Sequence, residues 1–251
     1  MNNQHLFHIH TYRCGHAGDE NDEAYILKAL ELGAKKLTFT DHAPFPGNPF
    51  GHRMNYDQLD EYISTLSALK EKYREKIEIE TGLEIEYLPD YENYYKELSC
   101  KKGLQILLMG QHFFQHENGD FSFSDDSETK SKTEFSGCIK AIIQGTKTGY
   151  FDYVAHPDRC FRRCKKWTAQ MEELSAQLIQ TAAESEIPLE FNMSSYKEKS
   201  SHYWWQEFWQ TVDAYNSTHQ QKVSVIYGLD AHSTTEMESA FLEYLSLAQQ
   251  N

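Results

Sequence analysis

Two histidines, His8 and His10, stand one residue apart in the apolar, β-prone stretch Leu6-Phe7-His8-Ile9-His10-Thr11. On a strand, side chains two apart leave the same face, so this pair can present two imidazoles to one cation. His16 follows past Tyr12-Arg13-Cys14-Gly15, in what reads as a loop. A lone His-x-His is weak evidence, because a single histidine on an apolar strand is more often a satisfied core residue. Here the pattern returns along the chain. Asp41-His42, Glu84, His112, His156 and Asp230-Ala231-His232 each fall at the end of a β-prone run. So many carboxylates and imidazoles gathered at one mouth are costly to bury unless they pair or hold cations. Nine candidate ligands (His8, His10, His16, His42, Glu84, His112, His156, Asp230 and His232) exceed the roughly four donors that one zinc takes. The set suits two or three divalent ions, with Glu84 as a shared carboxylate. Nitrogen and oxygen donors without cysteine fit Zn, Fe or Mn.

The elements that must position these residues alternate along the chain. Strands are expected at residues 6–11, 36–40, 77–86, 104–114, 150–156, 188–192 and 223–227. Helices are expected at 19–32, 56–74, 90–100, 135–147, 167–186, 201–217 and 233–249, from apolar spacing and end signals such as Gly33. Asp19 or Asp22 is the expected cap of the first. Residues 117–132 are polar, lack periodicity and read as a loop. Seven strands each followed by a helix imply a parallel sheet. A closed barrel over residues 1–251 as a single domain is the simplest solution, and an open doubly wound sheet is the alternative. No Gly-x-Gly-x-x-Gly follows the first strand, which weakens a dinucleotide-binding version. In a parallel barrel the C-terminal strand ends form the mouth, and the candidate ligands fall at those ends.

Composition narrows the partners. A formal net charge of -14 argues against a nucleic-acid footprint and against a basic membrane-binding face. It leaves room for a small anionic substrate at a local cationic or metallic site. The five cysteines are odd in number, no secretory signal is legible before the first strand, and no apolar run reaches the roughly 18 residues of a membrane span. A reducing cytoplasm is therefore expected, with Cys160 and Cys164 as plain thiols. His5, His52, His116, His202 and His219 carry no functional expectation. Oligomeric state is left open.

The same residues resemble the PHP (polymerase and histidinol phosphatase) family. The carriers are His8-Ile9-His10 with His16, Thr40-Asp41-His42, Gly82-Leu83-Glu84, Gly110-Gln111-His112, Ala155-His156-Pro157 and Gly228-Leu229-Asp230-Ala231-His232, in family order. Within the family the chain is most similar to the histidinol-phosphate phosphatases. The resemblance implies a distorted (βα)7 barrel of TIM-barrel type and a trinuclear site. It implies that His8, His10, Glu84 and Asp230 hold one ion, that Glu84, His112 and His156 hold a second, and that His16, His42 and His232 hold a third. The implied substrate is L-histidinol phosphate. Family members often carry an arginine after the Glu-Ile-Asn strand. Here Asn192-Met193-Ser194-Ser195-Tyr196-Lys197 offers a lysine, a point charge in place of a bidentate fork.

The chemistry expected is phosphomonoester hydrolysis, with paired ions lowering the pKa of an attacking water. Glu84 and Asp230 would act at the ions, and Arg159, Lys197 and Arg162 would hold the phosphate. Asp19 would protonate the leaving alkoxide. Two rivals stand beside this. One is another phosphoesterase of the family, such as a protein-tyrosine phosphatase. The other is a metal-binding protein that does no catalysis.

Overall fold

The computed structural model describes residues 4–123, 132–199 and 204–249. Nine strands occur among them: β1 (His5–Ile9), β2 (Lys36–His42), β3 (Glu78–Ile85), β4 (Ile106–Met109), β5 (Phe113–Gln115), β6 (Phe121–Phe123), β7 (Tyr153–Val154), β8 (Leu189–Asn192) and β9 (Val225–Gly228). The helices are α1 (Asp22–Glu31), α2 (Leu59–Tyr73), α3 (Glu92–Ser99), α4 (Lys132–Thr146), α5 (Ala169–Glu184), α6 (Met193–Lys197), α7 (Gln206–Thr218) and α8 (Thr234–Ala248). Seven strands form one sheet in the order β1-β2-β3-β4-β7-β8-β9. The Leu229 N–H donates to Phe7 O at 2.8 Å, so the chain leaving β9 returns to β1. This is the nearly closed parallel barrel that the strand–helix alternation predicts.

Contacts cluster into two compact units. The first comprises residues 1–84, 97–107 and 227–251. In it β2 and β3 run in parallel register from Lys36↔Glu78 to His42↔Glu84. Alternation puts Leu37, Phe39 and Asp41 on one face of β2 and Thr38, Thr40 and His42 on the other. Phe39 meets Tyr25 of α1 edge to face at 6.2 Å, so the first face looks at the helices and the second into the lumen. Helix α1 starts at Asn21, whose side chain accepts from the Ala24 N–H, so the expected caps Asp19 and Asp22 are not the cap. The helix buries Tyr25, Ile26 and Ala29, and α2 buries Leu59, Tyr62, Ile63 and Leu66 at the same helical spacing. Truncating a fully buried Ile26 or Leu66 to Ala should cost about 2–5 kcal/mol. Gly82 must be glycine, since a Cβ there would lie 2.8 Å from Ile106 Cβ and 2.9 Å from Ile106 O. That close approach draws β3 and the start of β4 together.

The second unit comprises residues 85–96 and 108–226. In it β4 pairs with β7 through Met109↔Val154, and β7 with β8 through Val154↔Leu189. The Leu189 N–H then donates to Ser224 O at 2.9 Å. The expected strand over 104–114 is in fact divided. It ends at Met109, and Phe113–Gln115 turns off to pair antiparallel with Phe121–Phe123. The expected loop at 117–132 is thus part hairpin, its residues 124–131 lie outside the described residues, and Lys132 already begins α4. The strand expected at 150–156 shrinks to Tyr153–Val154, because His156 leaves extended backbone at φ 28. Helix α7 begins at Gln206, and residues 201–203 of the expected helix lie outside the described set, as does His202. No helix of the described residues is long and apolar enough to cross a membrane.

Candidate metal centre

Seven of the nine candidate ligands belong to the first unit, and the fold gathers them around the end of β1. The ladder between β1 and β2 slips between Phe7 and Ile9, and His8 has φ 69. The convergence of His8 and His10 is therefore the work of a bulge, which re-aims a side chain, and not of plain alternation as expected. Their ring centroids lie 5.0 Å apart. Beyond β9, the His10 N–H donates to Ala231 O at 2.9 Å and the Ala231 N–H donates to His8 O at 3.2 Å. That zipper, with Asp230 at φ 49, turns the Asp230 carboxylate onto both histidines. Strain at two non-glycine residues in one site is the pattern found where a fold over-determines a functional geometry.

The distances are short. Asp230 Oδ1 lies 3.2 Å from His10 Nε2, 3.7 Å from His8 Nε2 and 3.8 Å from His232 Nδ1. Glu84 Oε2 lies 3.5 Å from His8 Nε2, 3.6 Å from His10 Nε2 and 3.0 Å from His42 Nδ1. The His232 ring stacks on His10 at 4.0 Å, and His16 lies 4.7 Å from His232 and 5.1 Å from His42. Ligand atoms of His8, His10 and Asp230 fall within 4.8 Å of one another, as do those of His10, His42 and His232. Both ring nitrogens of His10 are buried and no hydrogen bond among the described residues satisfies them. Buried nitrogen atoms left this way beside carboxylates fit a divalent cation.

The electrostatics agree. Burial opposes charge on His10, yet the Asp230 and Asp41 carboxylates outweigh it and raise the ring to about 9. Burial also acts against ionised Asp230, but His8 and His10 hold it well below the usual carboxylate range. Burial, then His10, pushes His232 down to about 3, leaving the ring neutral with one nitrogen lone pair available near neutral pH. The pocket thus attracts one positive charge and resists a second proton on its outer imidazole.

In the second unit His112 and His156 face each other with centroids 5.1 Å apart. His112 Nδ1 pairs with buried Glu86 Oε1 at 2.9 Å. The His156 N–H donates to buried Glu190 Oε2 at 3.0 Å. Arg159 lies on the 3-10 turn Pro157–Phe161 directly after His156, and Arg162 caps that turn. Asp158 secures the same turn by accepting from Trp205 N at 2.9 Å and Trp209 Nε1 at 3.3 Å. Lys197 is exposed on the last turn of α6. Asp19 is exposed on the first unit's loop after His16.

Glu86, Glu190 and Arg13 gain their partners only in the folded chain, and Asp41 gains its role only there. A signal existed for Glu86, since Glu84 and Glu86 share one strand face. Arg13 carried none, because its burial depends on partners 9 and 48 residues away.

The profile described as PHP domain matches residues 6–194. The histidinol-phosphatase of Bacillus subtilis (strain 168) is 26% identical over 263 residues, covering 95% of this chain and 97% of the relative. Among solved structures, a histidinol phosphate phosphatase from Lactococcus lactis subsp. lactis, complexed with zinc, L-histidinol and phosphate, superposes with a TM-score of 0.74 at 15% identity, covering 99% of this chain and 93% of that one. A candidate histidinol phosphatase from Listeria monocytogenes gives 0.78 at 18% identity, covering 96% and 99%. At these identities the two superpositions speak to the fold.

Proposed function

The chain belongs to the PHP domain family, and from that premise we propose that it is a metal-dependent phosphomonoesterase that splits L-histidinol phosphate into L-histidinol and phosphate. The observation that carries the metal-dependent part is the buried His10, whose Nε2 finds no hydrogen-bond partner among the described residues although Asp230, Glu84, His8 and His232 surround it. The full-length similarity to the Bacillus subtilis histidinol-phosphatase, and the ligands of the Lactococcus lactis structure, support the substrate.

His8, His10, Glu84 and Asp230 would form one ligand group, and His16, His42 and His232 a second. The proposal extends to His112 and His156, which the family resemblance enlists as further ligands. Zinc heads the candidate metals because the Lactococcus lactis structure holds it, and iron and manganese also suit nitrogen–oxygen donors. When bound, such ions supply an activated water and offset the charge on the phosphoryl oxygens. Glu84 would set the spacing of the ligand groups, its one oxygen Oε2 lying within reach of three imidazoles. Arg159 would grip two phosphate oxygens with its planar fork, and Arg162 and Lys197 would add positive charge. As the P–O bond to the alcohol breaks, the leaving alkoxide takes a proton, and Asp19 is proposed as its source. Capping duty falls to Asn21 and does not occupy Asp19. Cys14, Cys138, Cys160 and Cys164 are buried, and a reducing cytoplasm is the proposed working compartment.

The test is phosphate release from L-histidinol phosphate by the purified protein. Turnover should stop with a chelator and return with zinc or manganese. Metal-loaded protein that leaves the ester intact would overturn the proposal.

A further inference from the structure

Behind the ligand cluster lies a layer of buried charge that the proposed chemistry does not use. Asp41 ends the helix-facing side of β2 and is fully buried. Its Oδ1 accepts from the His42 N–H at 2.8 Å and lies 3.6 Å from His10 Nδ1. Its Oδ2 accepts from the Thr11 hydroxyl. The Thr11 oxygen in turn accepts from Arg13 Nη1 at 3.2 Å. Arg13 is itself buried at 4% exposure. It is locked by a bidentate pair to Asp22 at 2.8 and 2.9 Å and another to Glu61 at 2.8 and 2.9 Å. A chain of charge and hydrogen bonds thus runs from α1 and α2, through Arg13 and Thr11, to Asp41 and the back of His10.

The two nitrogens of His10 face different surroundings. Nε2 looks at Asp230 and Glu84, 3.2 and 3.6 Å away, and Nδ1 looks at Asp41. A carboxylate 3.6 Å behind Nδ1 favours the proton on that nitrogen, which leaves the Nε2 lone pair for a cation. A carboxylate fixed through Thr11 and the His42 amide cannot swing away from this task. Burying Arg13 against Asp22, with Glu61 reaching in from the surface, has an energetic cost that an apolar pair would avoid, so a positioning duty accounts for it better than stability does.

We propose that Asp41, anchored by Thr11 and Arg13, is a positioning residue that sets the tautomer and orientation of His10 and so tunes metal affinity. The inference rests on the metal-centre reading above. It adds no ligand, since Asp41 meets the back of His10 and the His42 amide.

The test measures zinc affinity by chelator competition in the full chain, for wild type, Asp41→Asn and Thr11→Val, beside thermal unfolding of each. Asp41→Asn keeps the shape and removes the charge, and should weaken zinc binding about 10- to 100-fold. Thr11→Val keeps the carboxylate and loses one anchor, and should weaken it about fivefold. A further measurement needs no variant. Nitrogen-15 NMR of the zinc-loaded wild type should find the His10 proton on Nδ1. Zinc affinity unchanged in Asp41→Asn, or a zinc-loaded His10 protonated on Nε2, would overturn the inference and leave the metal-centre reading standing. A wild type that takes up no zinc would overturn both.

Discussion

His42 and Glu84 are register partners on β2 and β3, and they meet across the ladder with His42 Nδ1 3.0 Å from Glu84 Oε2. The same oxygen lies 3.5 Å from His8 Nε2 and 3.6 Å from His10 Nε2. One carboxylate oxygen therefore serves three imidazoles, from β1, the residue just after it and β2, in a buried lumen. Parallel pairing produces this. Residues in register on neighbouring strands share a face, so the last lumen-facing position of β2 is delivered to the acid of β3.

Glu84→Gln should consequently harm catalysis far more than folding. The amide keeps the volume but loses the charge that spaces the imidazoles around a cation. We expect kcat to fall on the order of 100-fold or more, with the melting temperature within a few degrees of wild type. Near-normal kcat would remove Glu84 from the shared position.

His8→Ala and His10→Ala should each lower zinc content together with activity. Both rings sit on the bulged end of β1 against Asp230. Elemental analysis of purified variants reads this directly. Full occupancy in both would place the metal elsewhere.

Arg159→Ala should act on the phosphate and not on the metal. The side chain follows His156 by one short turn, and that turn is clamped through Asp158 to Trp205 and Trp209. Loss of a charge-assisted pair costs about 2 kcal/mol, so kcat/KM should drop at least about tenfold, mostly through KM. Inorganic phosphate should inhibit the variant less, with metal content unchanged. Lys197→Ala should do the same more weakly, because an ammonium lacks the fork. Unchanged KM and phosphate inhibition in Arg159→Ala would shift the role to Arg162 or Lys197.

His5 gives a pH dependence of stability. Burial, aided by Lys36, lowers its ring from 6.5 to about 4. The folded chain therefore keeps it neutral where the unfolded chain would protonate it. Its contribution is fully present above pH 6.5 and is lost as pH falls toward 4. The ring is only partly buried, so the loss should amount to a few degrees of melting temperature. His5→Gln should flatten that part of the profile between pH 7.5 and 4.5. An identical profile in variant and wild type would show that other groups carry the acid sensitivity.

The barrel order and the gathering of imidazoles were legible because each rests on a local signal. Strand ends carry their own His or acid, and each strand is followed by a helical apolar period. What escaped depends on tertiary facing. Glu86 shares the alternation of Glu84, but its partner His112 is set only where the chain leaves β3. Asp41 looks like the neighbour of a ligand until β2 alternation turns it toward Arg13 and Thr11 and away from the lumen. The β5–β6 hairpin was hidden because Leu104–Phe114 is a near-continuous apolar run. No turn residue but Gly110 marks where the strand leaves the barrel sheet. His8 at φ 69 could not be read at all, since nothing in a β-prone run announces a bulge at a non-glycine residue.

The central claim is that this centre hydrolyses a particular phosphate ester. The most direct measurement is kcat/KM of the zinc-loaded protein for L-histidinol phosphate against p-nitrophenyl phosphate and phosphotyrosine. A site built to bind the imidazole and amine of the alcohol should reject analogues lacking them on the order of 100-fold or more. L-histidinol phosphate should therefore lead by at least that margin. Equal values, or a preference for phosphotyrosine, would contradict the account.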